Sequence, residues 1–277
     1  RHIDTAAMYG NEAAVGEGLR ASGIERDEVF IVTKVWQSDL RARDFERSAR
    51  ASLANLKLDA VDLLLIHWPN PGIPLKETIG ALCKMKREGV ARHIGVSNFT
   101  VALIEEAVKL STEPLVCNQF ECHPFLDQTK VIAATRKRGM AVVAYSPIAR
   151  GILSGKYAPG AAPAPDSRVG RGEKRVMETE WREESLAVAH ALKARAAGRG
   201  VSLLAYSVAW VLAHRAVSSV IAGPRTLAQW LQYFEALQID WTAEDEAAVN
   251  ALVAPGHPST PGFNDPRYPL AQRLAAP

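Results

Sequence analysis

Apolar residues along this chain fall into short unbroken runs, separated by longer stretches in which they recur at helical spacing. A strand covered on both faces reads as a continuous apolar run, whereas a helix lying on a sheet carries an apolar stripe. Seven segments are of the first kind: His2–Thr5, Val29–Val35, Val61–His67, His93–Ser97, Leu115–Phe120, Ala141–Tyr145 and Val217–Ala222. Helical spacing marks Asp44–Leu56, Leu75–Glu88, Val101–Leu110, Gln128–Arg138, Trp181–Arg195, Leu203–His214, Leu227–Leu237 and Ala243–Leu252. In Asp44–Leu56, for instance, Phe45, Ala49, Leu53 and Leu56 share one stripe. Strand and helix in alternation predict βα units around a parallel sheet.

A parallel barrel of this kind closes with eight strands. The pattern therefore predicts an α/β fold, a (β/α)8 TIM barrel lacking its first βα unit in this chain, with a seven-stranded or doubly wound open sheet as the alternative. A single domain over residues 1–277 is expected, since a chain of this length can bury one large core. Two stretches break the rhythm. Residues 149–181 hold Pro159, Pro163 and Pro165 with little apolar period and read as a long loop of the lid or binding kind, and 254–277 as a Pro-rich tail.

Composition narrows the class. The formal charge of +3 is spread over interspersed acids and bases, so no nucleic-acid or membrane partner is expected. Cys83, Cys117 and Cys122 are odd in number and form no CxxC, which suits a reducing cytoplasm. No apolar run reaches the roughly 18 residues of a membrane span, and Arg1-His2-Ile3-Asp4 does not begin a signal peptide. Neither His-x-His nor HExxH occurs, so no metal is expected, and no GxGxxG follows a strand. A metal-dependent hydrolase using His67, Cys122 and His123 is the competing enzyme class, disfavoured because Cys122 and His123 are adjacent.

The chemistry lies in isolated polar residues that end apolar runs. Asp4, Lys34 and His67 each stand at the carboxyl end of a strand, ends that converge on one face of a barrel, and Tyr9 follows Asp4 closely enough to lean over the same mouth. Alone, each has an ordinary role: an N-cap, a packed ring, a snorkelling amine, a satisfied imidazole. Together they fit proton delivery to a carbonyl. A phenol is a weak acid at neutral pH, and a nearby ammonium such as Lys34 would lower its pKa. Asp4 would hold Lys34, and His67 would orient the carbonyl oxygen. Trp36 and Trp68 follow Lys34 and His67 and would wall the pocket, with the loop 149–181 and the tail around Phe263–Tyr268 as further candidates.

At these residues the sequence resembles the aldo-keto reductase family. The string HIDTAAMYGNEAAVGEGL is similar to the family segment bearing the Asp and Tyr, VFIVTKVW and DLLLIHWP to those bearing the Lys and His, and GVARHIGVSNF, VCNQFECHP and VVAYSPIARG continue the likeness. The first half resembles the 2,5-diketo-D-gluconate reductase-like bacterial members. The resemblance implies an NADPH-dependent oxidoreductase acting on a small-molecule carbonyl, with Asp4, Tyr9, Lys34 and His67 as the tetrad and Tyr9 as acid. It implies Ser97, Asn98 and Gln119 at the nicotinamide carboxamide, Tyr145 stacked on the ring, and Ser146, Pro147 and Ile148 along the pyrophosphate. A plain N-cap role is the alternative for Ser97 and Asn98.

At the adenosine end the likeness shifts. GPRTLAQW resembles a longer-loop branch in which Gly223, Arg225 and Gln229 take these contacts, and Arg225 would bind the 2′-phosphate, with NADH left open. A monomer or small homo-oligomer is expected. A non-enzymatic cofactor-sensing regulatory subunit of the same fold is the alternative function.

Overall fold

The computed structural model describes residues 1–158, 160–260 and 263. Its strands are β1 His2–Asp4, β2 Phe30–Val35, β3 Val61–Ile66, β4 Ala91–Ser97, β5 Leu115–Glu121, β6 Ala141–Tyr145 and β7 Val217–Val220. They form one seven-stranded sheet in chain order. The pairs from β1–β2 through β4–β5 are parallel, as runs apolar on both faces require. The helices are α1 Glu12–Ala21, α2 Ala42–Leu56, α3 Leu75–Arg87, α4 Val101–Leu110, α5 Thr129–Lys137, α6 Lys174–Thr179, α7 Glu183–Gly198, α8 Leu203–Ala213, α9 Leu227–Glu235 and α10 Ala243–Leu252. Each strand expected from the sequence is present, with ends displaced by a few residues. Helices α1 and α6 were not expected, and the long loop opens with a 3₁₀ segment at Ala149–Ser154.

The chain groups into two compact units, Arg1–Phe120 with Ala134–Val142, and Glu121–Ala133 with Val143 onward. In the first, Ile31, Val35, Leu64, Leu65, Ile66, Ile94 and Val96 form a core almost without exposure. Gly16 of α1 lies against α2 so closely that a Cβ there would stand 2.3 Å from the Leu56 carbonyl oxygen. Glu12, buried on the same helix, accepts hydrogen bonds from Thr33 Oγ1 (2.5 Å) and Asn55 Nδ2 (3.3 Å), which offset its burial. Between β4 and β5 the register slips: Ile94 faces Leu115 but Val96 faces Asn118, so β5 carries one extra residue, a β-bulge.

In the second unit α8 is apolar on nearly every side and buried from Leu203 to Val211. Buried Asp245 starts α10 in a capping box with Thr242 and accepts from Arg195 Nη2 (2.8 Å) and Arg199. Burial works against its charge, but those guanidinium bonds prevail and hold the carboxyl down at about 2. Helix α9 and the turn after it present Leu227, Trp230, Leu231, Phe234 and Leu237 outward, Leu227 with 72% exposure. Among the described residues no single helix is long and apolar enough to cross a membrane. The three cysteines are free thiols and all buried.

Candidate active site

Strand β1 ends at Asp4, and the chain turns through the 3₁₀ segment Ala7–Tyr9, stopped by Gly10 in the left-handed region (φ 65°). This tight turn swings Tyr9 back over the strand ends. Lys34, on neighbouring β2, is fully buried and bonds the Asp4 carboxylate and, at 2.9 Å, the Thr5 carbonyl. Its ammonium lies 5.2 Å from the centroid of the Tyr9 ring. His67, just past β3, meets Tyr9 edge-on at 5.5 Å and Trp36 edge-on at 5.0 Å between ring centroids. The three strand-end residues and Tyr9 therefore stand together, with Trp36 beside them. Trp68 is half-buried next in the chain, and Tyr268 lies outside the described residues. Asp4 caps no helix; it is the counter-ion of a buried lysine.

The environment sets the protonation states. Burial, and then the charge of Lys34, push His67 down to about 3, so at neutral pH it is an uncharged imidazole with one N–H to donate. Its Nδ1 is buried without a hydrogen-bond partner among the described residues. Burial also lowers Lys34, while Asp4 pulls it back up. Tyr9 departs from the expectation that Lys34 lowers its pKa: burial first, and then the Asp4 charge, push the phenol up to about 12. The side chain is 49% exposed, so water moderates that push. The phenol here is a firmly protonated hydroxyl, the form a proton donor needs.

Ser97, Asn98 and Gln119 sit beside this group. The Gln119 side chain donates to Asp4 Oδ2 at 2.9 Å, a tie between β1 and β5 that the sequence did not announce. The Gln119 backbone carbonyl accepts from Ser97 Oγ and from the Asn98 backbone N–H, each at 2.8 Å. Asn98 holds the left-handed conformation at φ 62°, and its Nδ2 donates to the His67 carbonyl (2.9 Å) and to Ser97 Oγ (3.0 Å). The residue that caps α4 is Thr100, whose hydroxyl accepts from the Leu103 N–H, so Ser97 and Asn98 are not a simple helix cap. A side-chain amide fixed in strained backbone suits recognition of another amide.

The remaining cofactor candidates belong to the second unit. Tyr145 ends β6 half-buried, and Ser146, Ala149 and Arg150 follow in the left-handed region at φ 56°, 46° and 52°. Three such non-glycine residues in five positions each cost about 1–3 kcal/mol, and strain of that size gathers at ligand clamps. Pro147 is buried, and Ile148 packs on the cluster of Leu204, Ala205, Val208 and Ala209. Gly223, Arg225 and Gln229 are exposed around the start of α9; Thr226 caps the helix, and the Arg225 N–H donates to Gln229 Oε1 at 2.8 Å. A cation ahead of a helix N-terminus adds to a field that already favours anions. These residues fit a dinucleotide phosphate.

One further gathering escaped the sequence reading. Glu121 at the end of β5, His123 just beyond it, and Glu180 after α6 bring ligand atoms within 4.8 Å of one another. Glu121 and His123 are two apart, the spacing that puts both on one side of an extended segment, but Glu180 is remote in sequence and only the fold supplies it.

Comparison with known proteins bears on the family. The family model described as "Aldo/keto reductase family" matches residues 1–254. The methylglyoxal reductase DkgB of Escherichia coli O157:H7 is 42% identical over 154 residues, 54% of this chain and 58% of that protein, so the match spans little more than half the length of this curated relative. A solved structure bearing the name 2,5-diketo-D-gluconic acid reductase B is 35% identical, with TM-score 0.76 over 95% of this chain and 82% of that one. The Bombyx mori aldo-keto reductase solved in complex with NADP is 28% identical, with TM-score 0.70 over 91% of this chain and 78% of that one. A family match over residues 1–254, reinforced by likeness in both sequence and fold, means that this chain belongs to the aldo-keto reductase family.

Proposed function

We propose that this chain reduces aldehyde or ketone groups of small molecules to alcohols with hydride from NADPH, Tyr9 acting as the general acid. The observation that carries the reading is the packing of Tyr9, His67, Lys34 and Asp4 at neighbouring strand ends. NADPH, when bound, supplies the hydride. Everything else is the work of the chain's own groups. His67, uncharged, donates its N–H to the substrate oxygen and sets its position. Tyr9 gives its phenolic proton to that oxygen as negative charge develops, and the ammonium of Lys34 steadies the phenolate left behind. Asp4 keeps Lys34 in place, and Gln119 keeps Asp4 in place. Trp36 and Trp68 offer flat apolar walls that favour small aliphatic or aromatic carbonyls.

For the cofactor, the family resemblance implies Ser97, Asn98 and Gln119 at the carboxamide, Tyr145 at the ring, Ser146, Pro147 and Ile148 at the pyrophosphate, and Gly223, Arg225 and Gln229 at the adenosine end. The named relatives support a nicotinamide cofactor, one having been solved with NADP, and a small dicarbonyl substrate, one being named a methylglyoxal reductase. We read the sheet as seven strands of a (β/α)8 barrel. A reducing cytoplasm fits the buried free thiols.

The test is a fluorescence titration with NADPH and with NADH, followed by a turnover assay on a panel of aldehydes and ketones. NADPH bound more tightly than NADH, together with NADPH consumption by at least one small carbonyl, is expected. Tight NADPH binding with no turnover across the panel would replace this reading with that of a cofactor-sensing subunit.

A further inference from the structure

We propose that Glu121, His123 and Glu180 form a binding site for one divalent first-row transition metal ion, a clip that fastens the far end of the loop 149–181 to the end of β5. The site lies wholly within the second unit and uses none of the proton-delivering residues. Its donors are one imidazole and two carboxylates, a mixed set suited to Zn²⁺, Mn²⁺ or Fe²⁺.

The buried imidazole points to a ligand. The His123 side chain is 1% exposed, yet neither Nδ1 nor Nε2 has a hydrogen-bond partner among the described residues, and the same holds for Glu121 Oε1. Buried polar atoms are seldom left so, because each costs about 1–3 kcal/mol when unsatisfied. His123 Nε2 faces Glu121 Oε1 at 3.5 Å, too long for a firm bond but close to the spacing of two ligands on one ion. No pair of the three ligand atoms is more than 4.8 Å apart. Closing them on an ion at about 2.0–2.2 Å asks each side chain to move by less than about an ångström. The Phe125 ring packs edge-on to His123 at 5.9 Å and limits the imidazole's freedom.

Nearby guanidinium groups leave the site its ligands. Arg150 approaches Glu121 only loosely, at 3.4 and 3.5 Å, and its Nε is turned to Thr179 Oγ1 at 3.2 Å. The Arg182 guanidinium is directed to Thr260 Oγ1, Ser185 Oγ and the Phe263 ring. The imidazole is left for a cation, and the guanidinium atom facing Glu121 Oε1 is the Arg150 Nη2, at 3.4 Å. Since Glu180 follows α6 and Glu121 ends β5, an ion held by both cross-links the two ends of a span of about sixty residues, the kind of closure that lowers loop entropy.

The experiment treats the purified chain with EDTA, desalts it, titrates it with ZnCl₂ by calorimetry, and measures retained zinc by mass spectrometry after a second desalting. Expected are one zinc per chain in the wild type and a Tm raised by roughly 5 °C at saturating zinc. Both should be lost in His123→Gln and in Glu180→Gln and kept in His190→Gln, a control at an exposed histidine. Should His123→Gln fail to fold, Glu180→Gln decides. Wild type that retains no zinc, or Glu180→Gln that retains as much as wild type, would overturn the site; the second result would mark binding elsewhere on the surface. NADPH turnover is not a readout here, so this inference stands or falls apart from the proposed activity.

Discussion

His67→Gln offers a direct measure of how far the fold discharges its imidazole. The wild-type side chain is 7% exposed and sits near the Lys34 ammonium, and its pKa falls from 6.5 to about 3. Above pH 6.5 both folded and unfolded chains hold it neutral, so it adds nothing to the pH dependence. Below that, the unfolded chain takes up a proton that the folded chain refuses, so stability is lost as pH falls from 6.5 toward 3. At pH 5 the unfolded state gains about 2 kcal/mol from this single proton, being 1.5 decades below its pKa at 1.36 kcal/mol per decade. Glutamine is of similar bulk and does not titrate. The assay is urea unfolding of wild type and His67→Gln at pH 7.5 and pH 5, in which carboxylate effects cancel between the two proteins. Their difference should move by about 2 kcal/mol in favour of the glutamine variant at the lower pH. A difference unchanged by pH would show that the imidazole titrates normally, and the neutral-donor role would go with it.

Other perturbations probe the rest of the site. Tyr9→Phe should lower kcat about 10²–10⁴-fold while NADPH affinity and Tm stay near wild type, since the ring contacts remain; a rate within a few fold of wild type would remove Tyr9 as the acid. With the phenol pushed up to about 12, carbonyl reduction by wild type should stay flat from neutral pH to about pH 9, and a fall centred near pH 7 would contradict a firmly protonated donor. Arg225→Ala should weaken NADPH roughly 10–100-fold and leave NADH unchanged, as removal of a charge-assisted phosphate contact does; an equal loss for both would place Arg225 elsewhere. Gly95→Ala should cost about 1–3 kcal/mol in urea unfolding, because its Cβ would stand 2.8 Å from the Cys117 carbonyl and 2.9 Å from Leu65 Cδ2.

Asp4, Lys34 and His67 were legible because a lone polar residue at the end of an apolar run has few places to go once the strands are parallel. What the sequence could not say was how those groups titrate. Lys34 looks like the neighbour that lowers Tyr9, yet burial and Asp4 prevail. Helix α1 was missed since Gly16 and Gly18 weaken its propensity, and the space Gly16 leaves for Leu56 shows only in three dimensions. The apolar spacing of α9 gave its helical period but not the direction its stripe would face, which here is outward. The trio Glu121, His123 and Glu180 was invisible for a plainer reason: no local spacing rule reaches from β5 to the end of α6.

The extra residue in β5 has a consequence for how this chain can change. Because side chains alternate along a strand, an odd insertion inverts the facing of everything after it. Counted from Ile94 opposite Leu115 without the bulge, Ser97 would meet Asn118, and Gln119 would turn its amide away from Asp4; with it, Ser97 meets Gln119. The site thus depends on the parity of a count as well as on the identity of its residues. Deleting one residue near Val116 would leave every named side chain in the sequence and still dismantle the arrangement, an alteration to which a scan of single substitutions is blind.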